Sequence, residues 1–294
     1  MSTTRSNNEM LFLYGTSAAY GVGTGVWVDS LFKITDPGLA ILAPLGFGVA
    51  APVGAFLWDR QAGPLGRGVP SSVAAGLLVG ALTGAGIAGM QYELSDPGKE
   101  WPFRTQTTLA FLGATGGGIG GYFFGEYARP DPRQLSLIAS GGLWGGLSGV
   151  AIGAGVTGTN ADWKDGGVVV GFVGFAGGVA GTGALSLFAM PSYETQKWMW
   201  IGYGSGLAAG ALVFPFYLFS DSDPKHGFVA VGAGGIAGAT LAGVLAAHLN
   251  DNDDGWTNVA FGKKKKNAYF SPPFNLGLMP NAQGGAQLSA SGTW

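Results

Sequence analysis

Eight stretches of this chain contain no Asp, Glu, Lys or Arg, at approximately 11–28, 38–58, 70–92, 106–125, 135–157, 166–190, 198–219 and 226–248. Each runs for about 18–25 residues, the length that crosses ~30 Å of hydrocarbon at 1.5 Å rise per residue. A soluble helix of that length shows a polar face, and these show none. Composition agrees: 11% of residues are charged and 47% are hydrophobic, where a soluble domain carries about 25% charge. A disordered chain needs the opposite balance. The predicted architecture is an all-α membrane protein of eight transmembrane helices.

Glycine spacing selects helix over strand. The chain holds 56 Gly among 294 residues, far above the usual ~7%, and no strict three-residue period makes them collagen-like. Instead they recur every fourth position: Gly76, Gly80, Gly84; Gly113, Gly117, Gly121, Gly125; Gly141, Gly145, Gly149, Gly153; and Gly202, Gly206, Gly210. Residues four apart share a helix face. A face of bare Cα atoms lets a neighbouring backbone approach closely, which gains dispersion and weak Cα–H···O contacts where lipid removes the hydrophobic force. These fourteen positions are the expected helix-packing residues of a glycine-zipper bundle.

A transmembrane β-barrel is the rival architecture, with strands that alternate apolar-out and polar-in. The polar half of that alternation is missing, as in Val168 to Phe175. The closing Gln287-Leu288-Ser289-Ala290-Ser291-Gly292-Thr293-Trp294 does alternate and ends on an aromatic, so an outer-membrane barrel stands as a second alternative. The favoured reading of that segment is a small β-hairpin.

The polar connections predict a repeat. Asp36-Pro37, Asp96-Pro97, Asp165-Gly166 and Asp223-Pro224 are separated by 60, 69 and 58 residues. Asp can cap a following helix while Pro occupies its first turn without losing a hydrogen bond. Four αα-hairpin repeats therefore fill residues 11–249, after a polar segment 1–10 and before a polar, partly β tail 250–294. Read as a cleavable signal, Met1 to Ala19 is weak; Leu11 onward is expected to be the first span. An even helix count puts both termini on one side. That side carries ten basic residues (Arg5, Arg60, Arg67, Arg129, Arg133, Lys197 and Lys263 to Lys266), and the other carries five. The positive-inside rule then predicts an inner-membrane protein with cytoplasmic termini. Trp27, Trp58, Tyr92, Tyr127, Trp198, Trp200 and Tyr217 fall near helix ends as an interfacial belt. Trp144 and Tyr20 lie mid-helix and are expected to pack on small residues. Lys263, Lys264, Lys265 and Lys266 are candidates for contact with anionic lipid headgroups, the alternative being a solvated hairpin turn whose lysines block edge pairing.

The sequence predicts no site for chemistry. The chain has no Cys, which excludes disulfides and thiolate chemistry. A net charge of −2 gives no argument for nucleic acid. Two G-x-G-x-x-G matches, at Gly84 to Gly89 and from Gly153, lack the strand and ribose-binding acid that a dinucleotide site requires. His226 and His248 lie at opposite ends of the last helix, about 33 Å apart at helical rise. No catalytic, cofactor or metal residues are expected. No ionisable residue falls inside the eight spans, in contrast to proton pumps, ion-coupled carriers and voltage sensors.

The segments Tyr20-Gly21-Val22-Gly23-Thr24-Gly25-Val26-Trp27-Val28-Asp29 and Ala50-Ala51-Pro52-Val53-Gly54-Ala55-Phe56-Leu57-Trp58-Asp59 resemble glycine-rich multi-span envelope proteins of myxobacterial type. The resemblance covers residues 14–250 and a Gly-Gly hairpin tail. It implies a multi-span envelope fold and carries over no activity. Members of that type begin with an export signal, which is not read at Met1 to Ala19, so the resemblance leaves the choice of membrane open.

The expected function is a non-enzymatic structural or self-assembling membrane protein, with the bilayer and a second copy of the chain as partners. The alternative is a passive channel or carrier for a small uncharged solute. Its path would be lined by small hydroxyls and by helices 2 and 7, which Pro44, Pro52 and Pro215 would break.

Overall fold

A computed structural model describes residues 6–61, 65–157, 166–219 and 225–249, together with strand residues 256–258, 275–280 and 286–291. The fold is helical, and the described residues form no barrel. The chain runs α1 (Asn7–Phe32), α2 (Leu42–Gln61), α3 (Val69–Leu94), α4 (Phe103–Ala128), α5 (Pro132–Thr157), α6 (Gly167–Phe188), β1 (Ala189–Pro191), α7 (Tyr193–Ala211), α8 (Phe214–Leu218) and α9 (His226–Leu249). After these come β2 (Trp256–Asn258), β3 (Asn275–Pro280) and β4 (Ala286–Ser291). β1 pairs antiparallel with β2, and β3 with β4 in the register Asn275 to Ser291 through Pro280 to Ala286.

Six helical stretches are long and apolar enough to cross a bilayer: α2, α3, α5, α6, α9 and Tyr193–Tyr217, which joins α7 to α8. They fit an integral membrane protein. The expectation of eight spans is thus met for six. α1 and α4 have the length, 26 residues each, but their hydroxyls and glycines lower mean hydropathy.

Each long helix has its most extensive contact with a sequence neighbour, in the pairs α1–α2, α3–α4, α5–α6 and α7–α9, and α5–α9 is the broadest contact between pairs. Large apolar side chains project outward along the whole bundle. Leu45, Val49 and Val53 on α2, Ile119 and Phe123 on α4, Val173 and Leu187 on α6, and Leu241 and Val244 on α9 are all exposed. In water such a surface would aggregate; in hydrocarbon it is solvated. Within the bundle, Trp144 packs with Trp200 and Tyr203 at ring-centroid separations of 5.3 and 6.1 Å. Tyr20 reaches Thr115 on α4 through a 2.9 Å hydroxyl–hydroxyl bond.

Several helix ends differ from expectation. Asp36 does not cap α2: its Oδ1 accepts the Gly38 and Leu39 N–H groups in a local turn, and α2 starts only at Leu42. Asp96 likewise turns back to Lys99 through a 2.7 Å ion pair, while α4 begins after Pro102. The Asp side chain satisfies its own loop first, because a donor two or three residues away is always within reach. Asp165 and Asp223 lie outside the described residues. Pro44 sits in the first turn of α2, where no hydrogen bond is lost, and only Pro52 is interior. Near Pro215 the seventh span is interrupted, with α7 ending at Ala211 and α8 starting at Phe214, as a residue without an N–H dictates.

Acids tie three helix starts instead, two of them from another hairpin. α1 opens with a capping box: Glu9 N–H donates to Ser6 Oγ and Ser6 N–H donates to Glu9 Oε1. The second oxygen of Glu9, a residue only 1% exposed, accepts the N–H of Gly68 at 2.7 Å, the N-cap of α3. Gly68 has φ 88°, and a side chain there would also strike the Pro130 carbonyl; only Gly fits. At the opposite end of the bundle Glu93 of α3 accepts the Gly166 N–H and, at 2.9 Å, the Val169 N–H, at the start of α6. A carboxylate beside a helix N-terminus complements both the orphan donors and the macrodipole.

Replacing Glu93 with Ala strands those donors, so it is expected to destabilise the detergent-solubilised protein by about 1–3 kcal/mol. Glu194→Ala, which removes an exposed Lys197 ion pair, is expected to cost no more than about 1 kcal/mol. Thermal loss of the helical circular dichroism signal measures both.

Candidate functional site: glycine seams and an apolar cleft

Fourteen glycines were predicted to meet neighbouring helices, and all fourteen lie against one. On α3, a Cβ added to Gly76 would meet the Gly117 carbonyl of α4, one on Gly80 the Gly113 carbonyl, and one on Gly84 the Leu109 carbonyl. From α4, Gly113 and Gly117 face the Gly80 and Gly76 carbonyls in return, Gly121 faces the Ser72 carbonyl, and Gly125 lies 2.8 Å from the Val69 Cα by the same construction. On α5, Gly141 faces Thr182 and the Gly178 carbonyl, Gly145 the Gly174 carbonyl, Gly149 the Gly171 Cα at 3.0 Å, and Gly153 the Gly167 Cα at 2.8 Å. On α7, Gly202, Gly206 and Gly210 face the Gly238, Gly234 and Ala230 carbonyls of α9.

Each of these glycines has backbone among its obstacles, which cannot swing aside as a side chain such as Thr182 beside Gly141 can. Such proximity brings Cα–H groups onto carbonyl oxygens, worth about 0.5–1 kcal/mol each, and adds many dispersion contacts of about 0.1–0.2 kcal/mol.

Sequence reasoning missed the first seam. Gly21 faces the Phe47 carbonyl and Gly25 faces the backbone of Pro44, joining α1 to α2. It also missed the answering glycines Gly174 and Gly178 on α6 and Gly234 and Gly238 on α9. Those last two pairs do keep the four-residue spacing, which could have revealed them, but they are embedded among other glycines.

Between the pair α5–α6 and the pair α7–α9 lies a cleft of about 710 Å³. Its walls include Trp144, Ile152, Val173, Leu185, Met199, Ile236 and Val244, with Ser148, Thr182 and Thr240 as its hydroxyls. All three hydroxyls already have partners. Ser148 bonds the Tyr203 hydroxyl at 3.2 Å, Thr182 donates to the Gly178 carbonyl, and Thr240 donates to the Ile236 carbonyl. Most other hydroxyls in the bundle are similarly committed. Trp27 donates to Thr108, Ser30 bonds Thr107, Trp200 donates to Ser140, and Gln134 donates to Ser186.

Among the described residues no three His, Asp or Glu gather into a metal-binding group. His226 approaches the Gly155 carbonyl with Nδ1 at 3.2 Å. Lys263, Lys264, Lys265 and Lys266 lie outside the described residues. Acidic residues lie further into the helices than expected: Glu9 and Asp29 belong to α1 and Asp59 to α2, all three buried. No family model, no curated protein and no solved structure matches the chain.

Neighbouring glycines on α4 give a test with opposite signs. Gly117 meets α3 backbone, whereas a Cβ on Gly116 would have nothing within 4 Å. Gly116→Ala is expected to stabilise the bundle by about 0.4–1 kcal/mol through helix propensity. Gly117→Ala is expected to destabilise it by about 1–3 kcal/mol through overpacking. Denaturant titration of each variant in mixed micelles reads the difference.

Proposed function

We propose that the chain is a non-enzymatic structural membrane protein: a rigid glycine-zipper bundle of four hairpins, with α1 and α4 spanning beside the six apolar helices, that scaffolds or self-assembles in the bilayer. The observation that carries this reading is the backbone-to-backbone contact within every hairpin. Contacts of that kind have one closely fitted arrangement and little room to slide, which suits a fixed scaffold better than a moving carrier. The near match of Tyr92 to Pro97 with Tyr217 to Pro224 supports an origin by duplication. The outward apolar surface, with glycines such as Gly116 and Gly120 open to their surroundings, leaves a face on which a second copy could pack.

A passive channel or carrier is the second reading, favoured by the cleft beside α5, α6 and α9. Against it stands the chemistry of the walls. A solute path needs free donors, and Thr182 and Thr240 spend theirs on backbone carbonyls; acyl chains fill such a mainly apolar space better than water.

The test is flux. Proteoliposomes are expected to shrink and recover in glycerol or urea gradients at the rate of empty vesicles. A rate several-fold faster would establish the channel instead.

The membrane we propose is an inner membrane, with both termini cytoplasmic, on the strength of the basic bias of that side. Because the chain lacks Cys, single labels report cleanly. Ser95→Cys is expected to react with an impermeant maleimide on intact cells, and Glu194→Cys only after permeabilisation. The reverse pattern would invert the topology.

A further inference from the structure

Where α1 ends and α4 begins, the structure holds a cavity of about 700 Å³ lined by Asp29, Ser30, Lys33 and Arg104 among others. Its charges are arranged unlike those of a solvated loop. Asp29 is 8% exposed, and its Oδ1 is buried with no hydrogen-bond partner. A buried acceptor without a donor costs about 1–3 kcal/mol, so the site is incomplete as the chain alone builds it. Lys33 is held at the rim by a left-handed backbone, φ 54°, where its N–H closes onto the Asp29 carbonyl. Arg104 is exposed in the first turn of α4. Among the described residues neither Lys33 nor Arg104 has an ion-pair partner.

The height of the cavity in the bundle is marked by its surroundings. Phe32, Leu39 and Phe103 are exposed by 74, 56 and 62%, and Trp101 stands beside them. Trp is enriched at the headgroup boundary, and exposed apolar side chains beside it call for hydrocarbon rather than water. The pocket therefore opens where a phospholipid presents its polar end.

We infer that this cavity is a binding site for a phosphoethanolamine group, its primary ammonium on Asp29 and its phosphate between Lys33 and Arg104. A primary ammonium brings charge and three N–H donors to the part of the Asp29 carboxylate that stays accessible from the cavity, beside the sealed, unpartnered Oδ1. A quaternary choline brings no N–H donor. An anionic glycerol headgroup satisfies the two cations but sets its phosphate near a carboxylate without giving that carboxylate a charged donor. The order of preference is thus ethanolamine, then glycerol, then choline. This inference rests on the membrane placement of the bundle and is independent of whether the bundle conducts solutes.

The full chain in detergent, titrated with phosphatidylethanolamine, phosphatidylglycerol or phosphatidylcholine and read by native mass spectrometry, tests it. Phosphatidylethanolamine is expected to bind about tenfold more tightly than phosphatidylcholine, the worth of one charge-assisted bond to a buried group. Asp29→Asn, which keeps the side-chain shape, is expected to abolish that ratio while retaining phosphatidylglycerol binding. Lys33→Gln combined with Arg104→Gln is expected to weaken all phospholipids together. Soluble phosphoethanolamine competes if the headgroup alone is recognised; failure to compete with lipid selectivity retained assigns the site to the lipid. Equal affinities for ethanolamine and choline lipids, or a ratio unchanged in both variants, would overturn the proposal. A preference for phosphatidylglycerol would reduce the site to a plain basic patch and overturn it equally.

Discussion

Helices immersed in hydrocarbon gain nothing by hiding apolar side chains from their solvent, because lipid tails are as apolar as leucine. Association then depends on what happens at very short range, and in this chain it depends on backbone meeting backbone. Carbonyl oxygens of one helix lie where a partner's β-carbon would otherwise stand, along each of the four hairpin seams. Glycine is a poor helix former in water by about 1 kcal/mol against alanine, but an unpaired peptide group in lipid costs several kcal/mol, so the helix persists through glycine-rich stretches. The same residue that would weaken a soluble helix is what allows these to touch.

Contacts within hairpins are made largely from bare backbone, whereas contacts between hairpins add polar and aromatic side chains to fewer close approaches, such as Gly232 of α9 on the Ser148 carbonyl of α5. Trp27 lies flat on Phe111 at a centroid distance of 3.9 Å and donates across to Thr108. Gln196 donates to the Arg133 carbonyl, and its amide oxygen accepts from Ser136. Glu9 and Glu93 tie helix starts of neighbouring hairpins at opposite ends of the bundle. Polar links of this kind are directional and fix how one hairpin sits on the next. With most hydroxyls spent on architecture, few remain to serve a transported solute, and this joins the fold to the scaffold reading.

Much of this arrangement was legible in the sequence for a physical reason: a helix face built from a single residue type leaves a rhythm that no side-chain chemistry obscures. The charge-free lengths located the long helices, and the spacing on α3, α4, α5 and α7 picked out faces that lie against a neighbour. The α1–α2 seam was not legible. There Gly21 and Gly25 rest on the backbone of Phe47 and Pro44, which are not glycines, so no matching pattern exists on α2. Nor could the roles of Glu9 and Glu93 be read, since each acts on a helix start 59 or 73 residues away. Local turn chemistry misled at Asp36 and Asp96, where the nearest donors belong to the loop itself. The first charge-free length stops before Asp29, yet α1 runs on to Phe32 and buries that side chain.

The central claim is that glycine backbones of paired helices touch inside the bilayer. It is tested most directly by solid-state NMR of the chain in lipid bilayers with carbon-13 at glycine Cα alone. The account predicts through-space Cα–Cα cross-peaks between glycines distant in sequence, Gly80 with Gly117, Gly145 with Gly178 and Gly206 with Gly238, each removed when one partner is changed to Ala. Spectra with only the short-range correlations of isolated helices would contradict it.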